Sequence, residues 1–173
     1  DLEHANFNAT VEKAKQKFGN AITVMQYPLN QGTGFNAIID LLKMTMYRFP
    51  ATGGKPEKLE IPPEEMENAK KLHNELVEKA AENDEKLMEL YFERGSLDED
   101  EMKQGLKAGM MAHQIFPVFC LSAKKDMGSG RLMGFIDNVA PSAIDMPAEI
   151  AEDKTLVPCI PTGPTVLFFY KTI

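Results

Sequence analysis

The stretch from Pro63 to Phe92 constrains the fold of this chain more than any other. Met66, Ala69, Leu72, Leu76, Val77, Ala80, Leu87, Met88 and Tyr91 recur at helical intervals, which gathers them on one face of an α-helix. Pro63 suits the first helical position, where its missing N–H costs nothing, and Glu64 and Glu65 sit at the positive end of the helix dipole. A helix with one apolar stripe must bury it, so a packed layer has to lie beneath. At about 30 residues the run far exceeds the ~11–12 of an average helix, and a bend or break is expected at Asn83-Asp84.

The flanking segments supply that layer. Asn6 is a candidate N-cap for a short helix carrying Phe7, Val11, Ala14 and Phe18 and stopped by Gly19. Ala21–Leu29 is apolar and β-branched, residues 30–34 are turn-rich, and Leu42, Met44 and Met46 alternate with Lys43, Thr45 and Tyr47. This pattern predicts two antiparallel strands, with a third over Lys58–Ile61. After the long helix, Asp98 followed by Glu101 has the spacing of a capping box, with Leu97 placed to staple Met102, and a second helix is expected over about Glu99–Ala112. Ile115–Leu121 is short, apolar and β-prone, the pattern of a buried strand in an α/β sheet, with Pro117 near its start. Gly128-Ser129-Gly130 then turns into a helix reaching about Val139. Pro141, Pro147, Pro158, Pro161 and Pro164 punctuate a linker, and a strand is expected from Thr165 to Ile173. The reading is an α/β chain in which antiparallel strands covered by two helices precede one strand and one helix.

Composition narrows the function. Of 173 residues, 43% are hydrophobic and 26% charged, which excludes disordered and collagen-like classes. Asp and Glu number 26 against 19 Lys and Arg, a net charge of −7, which argues against a general binder of phosphate backbones and favours a basic partner. The longest charge-free apolar run, Ile115–Ala123, is about half the ~20 residues that span a bilayer, and no signal peptide opens the chain, so no membrane role and a cytoplasmic location are expected. Cys120 and Cys159 are too few for a disulfide framework and are expected to be free thiols.

Several motifs have plain structural readings. His4, His73, His113 and the two cysteines lack the short paired spacings of a zinc site, so no metal is expected; His73, beside Leu72 and Leu76, reads as a partly buried core residue. Gly32-Thr33-Gly34-Phe35-Asn36-Ala37 has the letters of a dinucleotide loop, but a strand-like alternation follows where a helix is required, so a turn is expected. Cys120 has no base nearby in sequence and reads as a packed thiol, and Asn8-Ala9-Thr10 carries little meaning as a glycosylation sequon in a cytoplasmic chain.

Two features remain. Glu75, Glu78, Glu82, Glu85 and Glu89 recur at alternating steps of three and four, one acidic stripe along the long helix, flanked by Lys79 and Lys86. It reads either as a solvated face or as a docking surface for a basic helix. The other is Ser122-Ala123-Lys124, placed directly after the apolar strand and before a turn and helix.

In that context Phe116–Met133, with Pro141-Ser-Ala-Ile-Asp-Met-Pro147, resembles the end of the GTPase domain of bacterial elongation factor G. The resemblance extends along the whole chain. Asp1-Leu-Glu-His-Ala-Asn-Phe7 is similar to the stretch that begins at the aspartate of that family's NKxD guanine motif. Val24–Leu29, Ile38–Leu41, Lys43-Met44, Ile61-Pro62, His73–Val77, Asp84–Met88 and Tyr91 follow the order of the subdomain inserted before the Ser-Ala motif. Pro164–Lys171 resembles the first strand of the following β-barrel domain. Leu121 stands where the family usually has Gly, and Ala140-Pro141-Ser142-Ala143 where Leu-Pro-Ser-Pro is common, which suggests a divergent lineage or paralogue.

The resemblance implies a remnant of a P-loop GTPase domain, with residues 1–20 as the helix after NKxD and 21–114 as the inserted subdomain. Residues 115–147 would be the last strand and helix, 148–164 a linker, and 165–173 the opening strand of the next domain. It implies guanine recognition by Asp1 together with backbone groups around Ser122, Ala123 and Lys124, and contact between the ribosomal stalk protein and the surface bearing Glu75, Glu78, Glu82, Glu85 and Glu89. The parent would be a ribosomal GTPase that drives movement of transfer RNA and messenger RNA, binding GTP or GDP with Mg2+ held outside this segment. The segment alone, without P-loop, switch regions or catalytic residues, is expected to hold no cofactor. Alternatives are a ribosomal-protection or release-factor GTPase, or a stand-alone α/β interaction module.

Overall fold

The computed structural model describes residues 1–163 and 165–167. They form a mixed α/β fold with one parallel and two antiparallel strand groups. The chain divides into two units, Asp1–Ala140 and Pro141–Ile173.

In the first unit, α1 (Phe7–Phe18) starts where the Asn6 side chain accepts the Ala9 N–H and ends at Gly19, whose φ of +68° suits glycine. The expected single strand over 21–29 is two strands in two different sheets. β1 (Ile22–Val24) pairs in parallel with β6 (Phe116–Val118), whereas β2 (Gln26–Pro28) pairs antiparallel with β3 (Ala37–Asp40). Met25 is the switch between them: its N–H donates to Val118 O and its C=O accepts from Leu41 N–H, both at 3.0 Å. The alternation that suggested one strand over the forties belongs to a hairpin, β3 turning into β4 (Thr45–Arg48), with β5 (Glu57–Leu59) beyond it. The order β2-β3-β4-β5 is fully antiparallel.

Register decides what each face of this sheet buries. Tyr27, Ile39 and Met46 lie opposite one another in turn, and so share a face with Leu59; Ile38 and Tyr47 occupy the other. The first face packs under helices. α2 (Pro63–Ala81) and α4 (Glu99–Met111) bring Leu76, Val77, Met102 and Leu106 onto Ile39 and Met46, all 3% exposed or less. Each such side chain contributes on the order of 1.5–3 kcal/mol by leaving water. The second face holds Ile38, Tyr47, Phe49 and Phe35 against Met127.

The long helix is broken where a break was expected. α2 ends at Ala81, and the Asp84 side chain accepts from the N–H groups of Lys86 and Leu87 to start α3 (Glu85–Arg94). The covering layer is therefore three helices rather than two. Before α4, Asp98 and Glu101 form the expected capping box. Gly105 lets α4 approach α2 closely, since a Cβ there would overlap the Ala80 carbonyl, while Gly109 makes room for Ile115, whose Cδ1 would lie 2.5 Å from a Cβ there.

The Ile115–Leu121 strand is shorter and wetter than its sequence suggests. Only Phe116–Val118 pair, and Phe116 is 39% exposed although Ile115 is buried. β6 has β1 as its one neighbour among the described residues, and Pro117 brings no N–H to the ladder. α5 (Ser129–Asn138) follows, N-capped by Gly128.

The second unit has a turn at Ala143–Asp145, closed by a reciprocal Ser142–Asp145 capping box, and a small hairpin of β7 (Glu149–Ile150) and β8 (Leu156–Val157). The expected strand over 165–173 lies largely outside the described residues.

Candidate functional site

The loop from Phe119 to Gly128 is built almost entirely by backbone bonds. Ser122 N–H donates to Met127 O at 2.8 Å, and Met127 N–H donates back to Ser122 O at 3.0 Å. Within this bridge Asp126 N–H reaches Ala123 O at 3.2 Å and Lys125 N–H reaches Ser122 Oγ at 3.3 Å. Gly128, at φ +90°, then swings the chain into α5; a Cβ there would sit 2.9 Å from that of Leu121.

One strand of the antiparallel sheet and two of its connecting loops clamp this loop. The Gln26 side chain, 1% exposed, donates to Cys120 O at 3.0 Å. Gly53, at φ +75°, lies so close to Lys125 O that any Cβ would overlap it, and Gly54 N–H donates to Asp126 O at 3.3 Å. Lys125 Nζ reaches Thr33 O at 3.4 Å. A loop fixed from so many directions loses little further entropy on binding a ligand, which is what a recognition loop needs.

The sequence-expected residues divide on this geometry. Ser122 is 3% exposed and its N–H is spent on Met127, so it holds the loop and does not donate outward. Ala123 and Lys124 are exposed, and none of the bonds above uses their N–H groups. Asp1 is half-buried and lines a depression of about 230 Å³ with Thr10, Pro28, Gln31 and the first loop residues after β6, Phe119-Cys120-Leu121. The structure thus brings Asp1 and the residues just before Ser122 to one depression, whose walls end at Leu121. Burial pushes the Cys120 thiol up to about 12, which keeps it protonated at neutral pH.

The five glutamates are all exposed, but they do not form one stripe. Glu75 and Glu78 lie on α2, Glu82 follows its last residue, and Glu85 and Glu89 lie on α3. The helix break removes the three-and-four arithmetic between Glu82 and Glu85. Lys79 pairs with Glu82 at 2.7 Å, and Glu78 Oε1 accepts the Tyr91 hydroxyl at 2.9 Å, tying α3 back to α2. His73 is half-buried as expected, with Nδ1 placed 2.7 Å from Leu41 O.

One cluster escaped the sequence reading. Arg131 of α5 stacks over Tyr47, 4.6 Å from the ring centroid, and Nη1 donates to its hydroxyl at 3.0 Å. It shares a cavity of about 150 Å³ with Asp40, Lys43, Glu99 and Lys103. Burial raises the Asp40 carboxyl, against the lowering effects of the Lys43 N–H and the Arg131 charge. The only signal in sequence was an acid inside the apolar run Ile38-Ile39-Asp40-Leu41-Leu42. Among the described residues no cluster of His, Cys, Asp and Glu could hold a metal ion, and no helix is long and apolar enough to cross a membrane.

These elements define a mixed α/β protein with a clamped loop between a parallel strand and a helix. No family model matches the chain. Among solved structures it is similar to that of a protein from Thermus thermophilus, with a TM-score of 0.71 and 24% sequence identity over 82% of this chain. The likeness shows the fold, and the chain spans 21% of that protein's length.

Proposed function

We propose that this chain is part of a translational GTPase of the elongation factor G type and carries the base-reading half of its guanine site. The observation that supports this reading most is the clamped loop after β6, which leaves the N–H groups of Ala123 and Lys124 out of its internal bonds and whose first residues, Phe119 to Leu121, share a depression with Asp1. An Asp carboxylate accepts from guanine N1–H and the exocyclic amine, and the two amides donate to O6. Adenine offers the opposite donor and acceptor at these edges, so it would leave buried polar groups unpaired. Ser122 serves by holding the loop's shape.

The sequence contains no P-loop, so the phosphates and Mg2+ are assigned to other parts of the parent protein. In the same reading the exposed Glu75, Glu78, Glu82, Glu85 and Glu89 form an acidic surface for the cationic domain of the ribosomal stalk, and the parent works in the cytoplasm on the ribosome. Titration of the chain with a fluorescent guanine nucleotide tests the division of labour. Phosphate contacts supply most of the electrostatic grip, so no micromolar binding and no hydrolysis are expected. Micromolar affinity would mean that the chain forms a nucleotide pocket of its own.

A further inference from the structure

The cavity of about 150 Å³ that holds Arg131 is built from three elements, each delivering its side chains by its own periodicity. On the sheet, Asp40 lies opposite Thr45 and Ile38 opposite Tyr47, so Asp40 shares a face with Tyr47, over whose ring Arg131 lies. α5 supplies Arg131 and Phe135, one turn apart, with Val139 just past its end; α4 supplies Glu99 and Lys103, also one turn apart. Gly134 adds no side chain to the space: a Cβ there would have Arg131 Nη2 as its nearest neighbour, at 3.9 Å.

Five charged side chains line this cavity, and two of them are unmatched. Lys43 and Lys103 both reach Glu99 Oε1, at 3.3 and 2.9 Å, and Lys103 also reaches Asp100 at 3.0 Å. Asp40 and Arg131 stand in no ion pair among the described residues, although both are half-buried and face the same space. Arg131 donates to the Tyr47 hydroxyl at 3.0 Å, and its stacking on the ring fixes the guanidinium, whose other N–H groups have no side-chain acceptor among the described residues. Asp40 accepts from the backbone N–H groups of Lys43 and Leu42. Asp40 and Arg131 thus attract one another across the cavity without touching. Burial outweighs that attraction and raises the Asp40 carboxyl, which leaves the carboxylate short of a counter-charge. The rest of the lining is apolar, with Met25, Leu42, Phe119, Phe135 and Val139 as a floor on which the two phenylalanine rings meet edge to face at 4.9 Å.

A ligand that satisfies all three surfaces carries a cation, an anion and a small apolar group. We propose that this cavity binds a short aliphatic α-amino acid, its ammonium on Asp40, its carboxylate on Arg131 and its side chain against Met25, Leu42 and Phe135. A guanidinium fork matches a carboxylate with two parallel hydrogen bonds, and an ammonium beside Asp40 would supply the missing counter-charge. A cavity of about this volume holds a benzene-sized molecule, which fits a side chain no larger than that of valine or leucine. An inorganic anion would leave Asp40 and the apolar floor without partners. The site needs neither the guanine loop nor the ribosomal assignment.

The test is an NMR titration of the isotope-labelled chain with L-valine, alongside 3-methylbutanoate, which lacks the amine, and 2-methylpropylamine, which lacks the carboxylate. Saturable shifts are expected at Leu42, Lys43, Arg131 and Gly134, with a Kd on the order of 1 mM for so small a ligand. Each analogue should bind at least about tenfold more weakly, because it leaves one half-buried charge unpaired. Asp40→Asn keeps an acceptor for the Lys43 N–H and should weaken valine by at least about tenfold while leaving 3-methylbutanoate no weaker than in the parent, which shows that the cavity is intact. No saturable shifts at these residues would overturn the site. So would 3-methylbutanoate or 2-methylpropylamine binding as tightly as valine, or valine binding undiminished in Asp40→Asn.

Discussion

Replacing Gly105 by alanine tests the close approach of α2 and α4 on which the helical layer depends. In an exposed helix interior this change is favourable by about 1 kcal/mol, because alanine loses less backbone entropy than glycine. At Gly105 the added Cβ would overlap the Ala80 carbonyl, with Ala80 C at 2.7 Å and Leu87 Cδ1 at 3.0 Å. A backbone carbonyl in the last turn of α2 is not the far end of a flexible side chain that could swing aside, so the two helices must separate. Overpacking costs about 1–3 kcal/mol, and a backbone neighbour puts this site at the upper end, for a net loss of about 2 kcal/mol. The chain has no tryptophan, so urea unfolding is best followed by far-UV circular dichroism. With a slope of about 1–3 kcal/mol per molar urea, the midpoint should fall by roughly 1 M. Gly134→Ala is the control: it lies in α5 with Arg131 Nη2 as nearest neighbour at 3.9 Å, and should gain about 0.5–1 kcal/mol. A Gly105→Ala protein as stable as the parent would refute the packing argument.

Three other outcomes are expected. The Asp40 carboxyl is raised above its ordinary 3.8, so between that value and its folded pKa the native chain holds more protons than the unfolded one, and stability from this site falls as pH rises through the window. Asp40→Asn should therefore gain on the parent in urea melts as pH rises above the ordinary 3.8; a difference that does not change with pH would contradict the burial argument. Maleimide at about pH 8 should modify the exposed Cys159 and spare Cys120 until the chain is unfolded, as read by mass spectrometry; equal rates would show that Cys120 is not held as described. Glu78→Lys with Glu82→Lys should weaken binding of the stalk C-terminal domain more at low salt than at moderate salt with the fold intact, and identical titrations would leave these residues as a solvated face.

What the sequence revealed depended on the range of the interaction. The Asp98–Glu101 box and the break at Asp84 involve groups two or three residues apart, so their patterns are complete in the local sequence. The β3–β4 hairpin was missed because its turn, Leu41-Leu42-Lys43-Met44, has neither Gly nor Asn. It is held instead by Asp40 Oδ1 accepting the Lys43 N–H at 3.0 Å, and by Met44 at φ +45°. The division at Met25 was equally hidden, since residues on both sides are β-prone and the partners that separate them, Val118 and Leu41, lie far along the chain or across a turn. For the candidate site, Ser122-Ala123-Lys124 was visible as a motif, but the roles within it were not. Only the bridge to Met127 and the clamps from Gln26 and Gly53 distinguish Ser122 from its two neighbours.

The central claim is that Asp1 reads guanine by accepting hydrogen bonds. The direct measurement is nucleotide selectivity of the longer GTPase proposed to carry this segment, comparing guanosine and xanthosine diphosphates for the parent and Asp1→Asn. Xanthine has a carbonyl where guanine has its exocyclic amine, so an amide N–H at position 1 would meet an acceptor where the carboxylate had met a donor. The account predicts that the parent prefers the guanine nucleotide and that Asp1→Asn inverts the preference. An unchanged preference in the variant would contradict it.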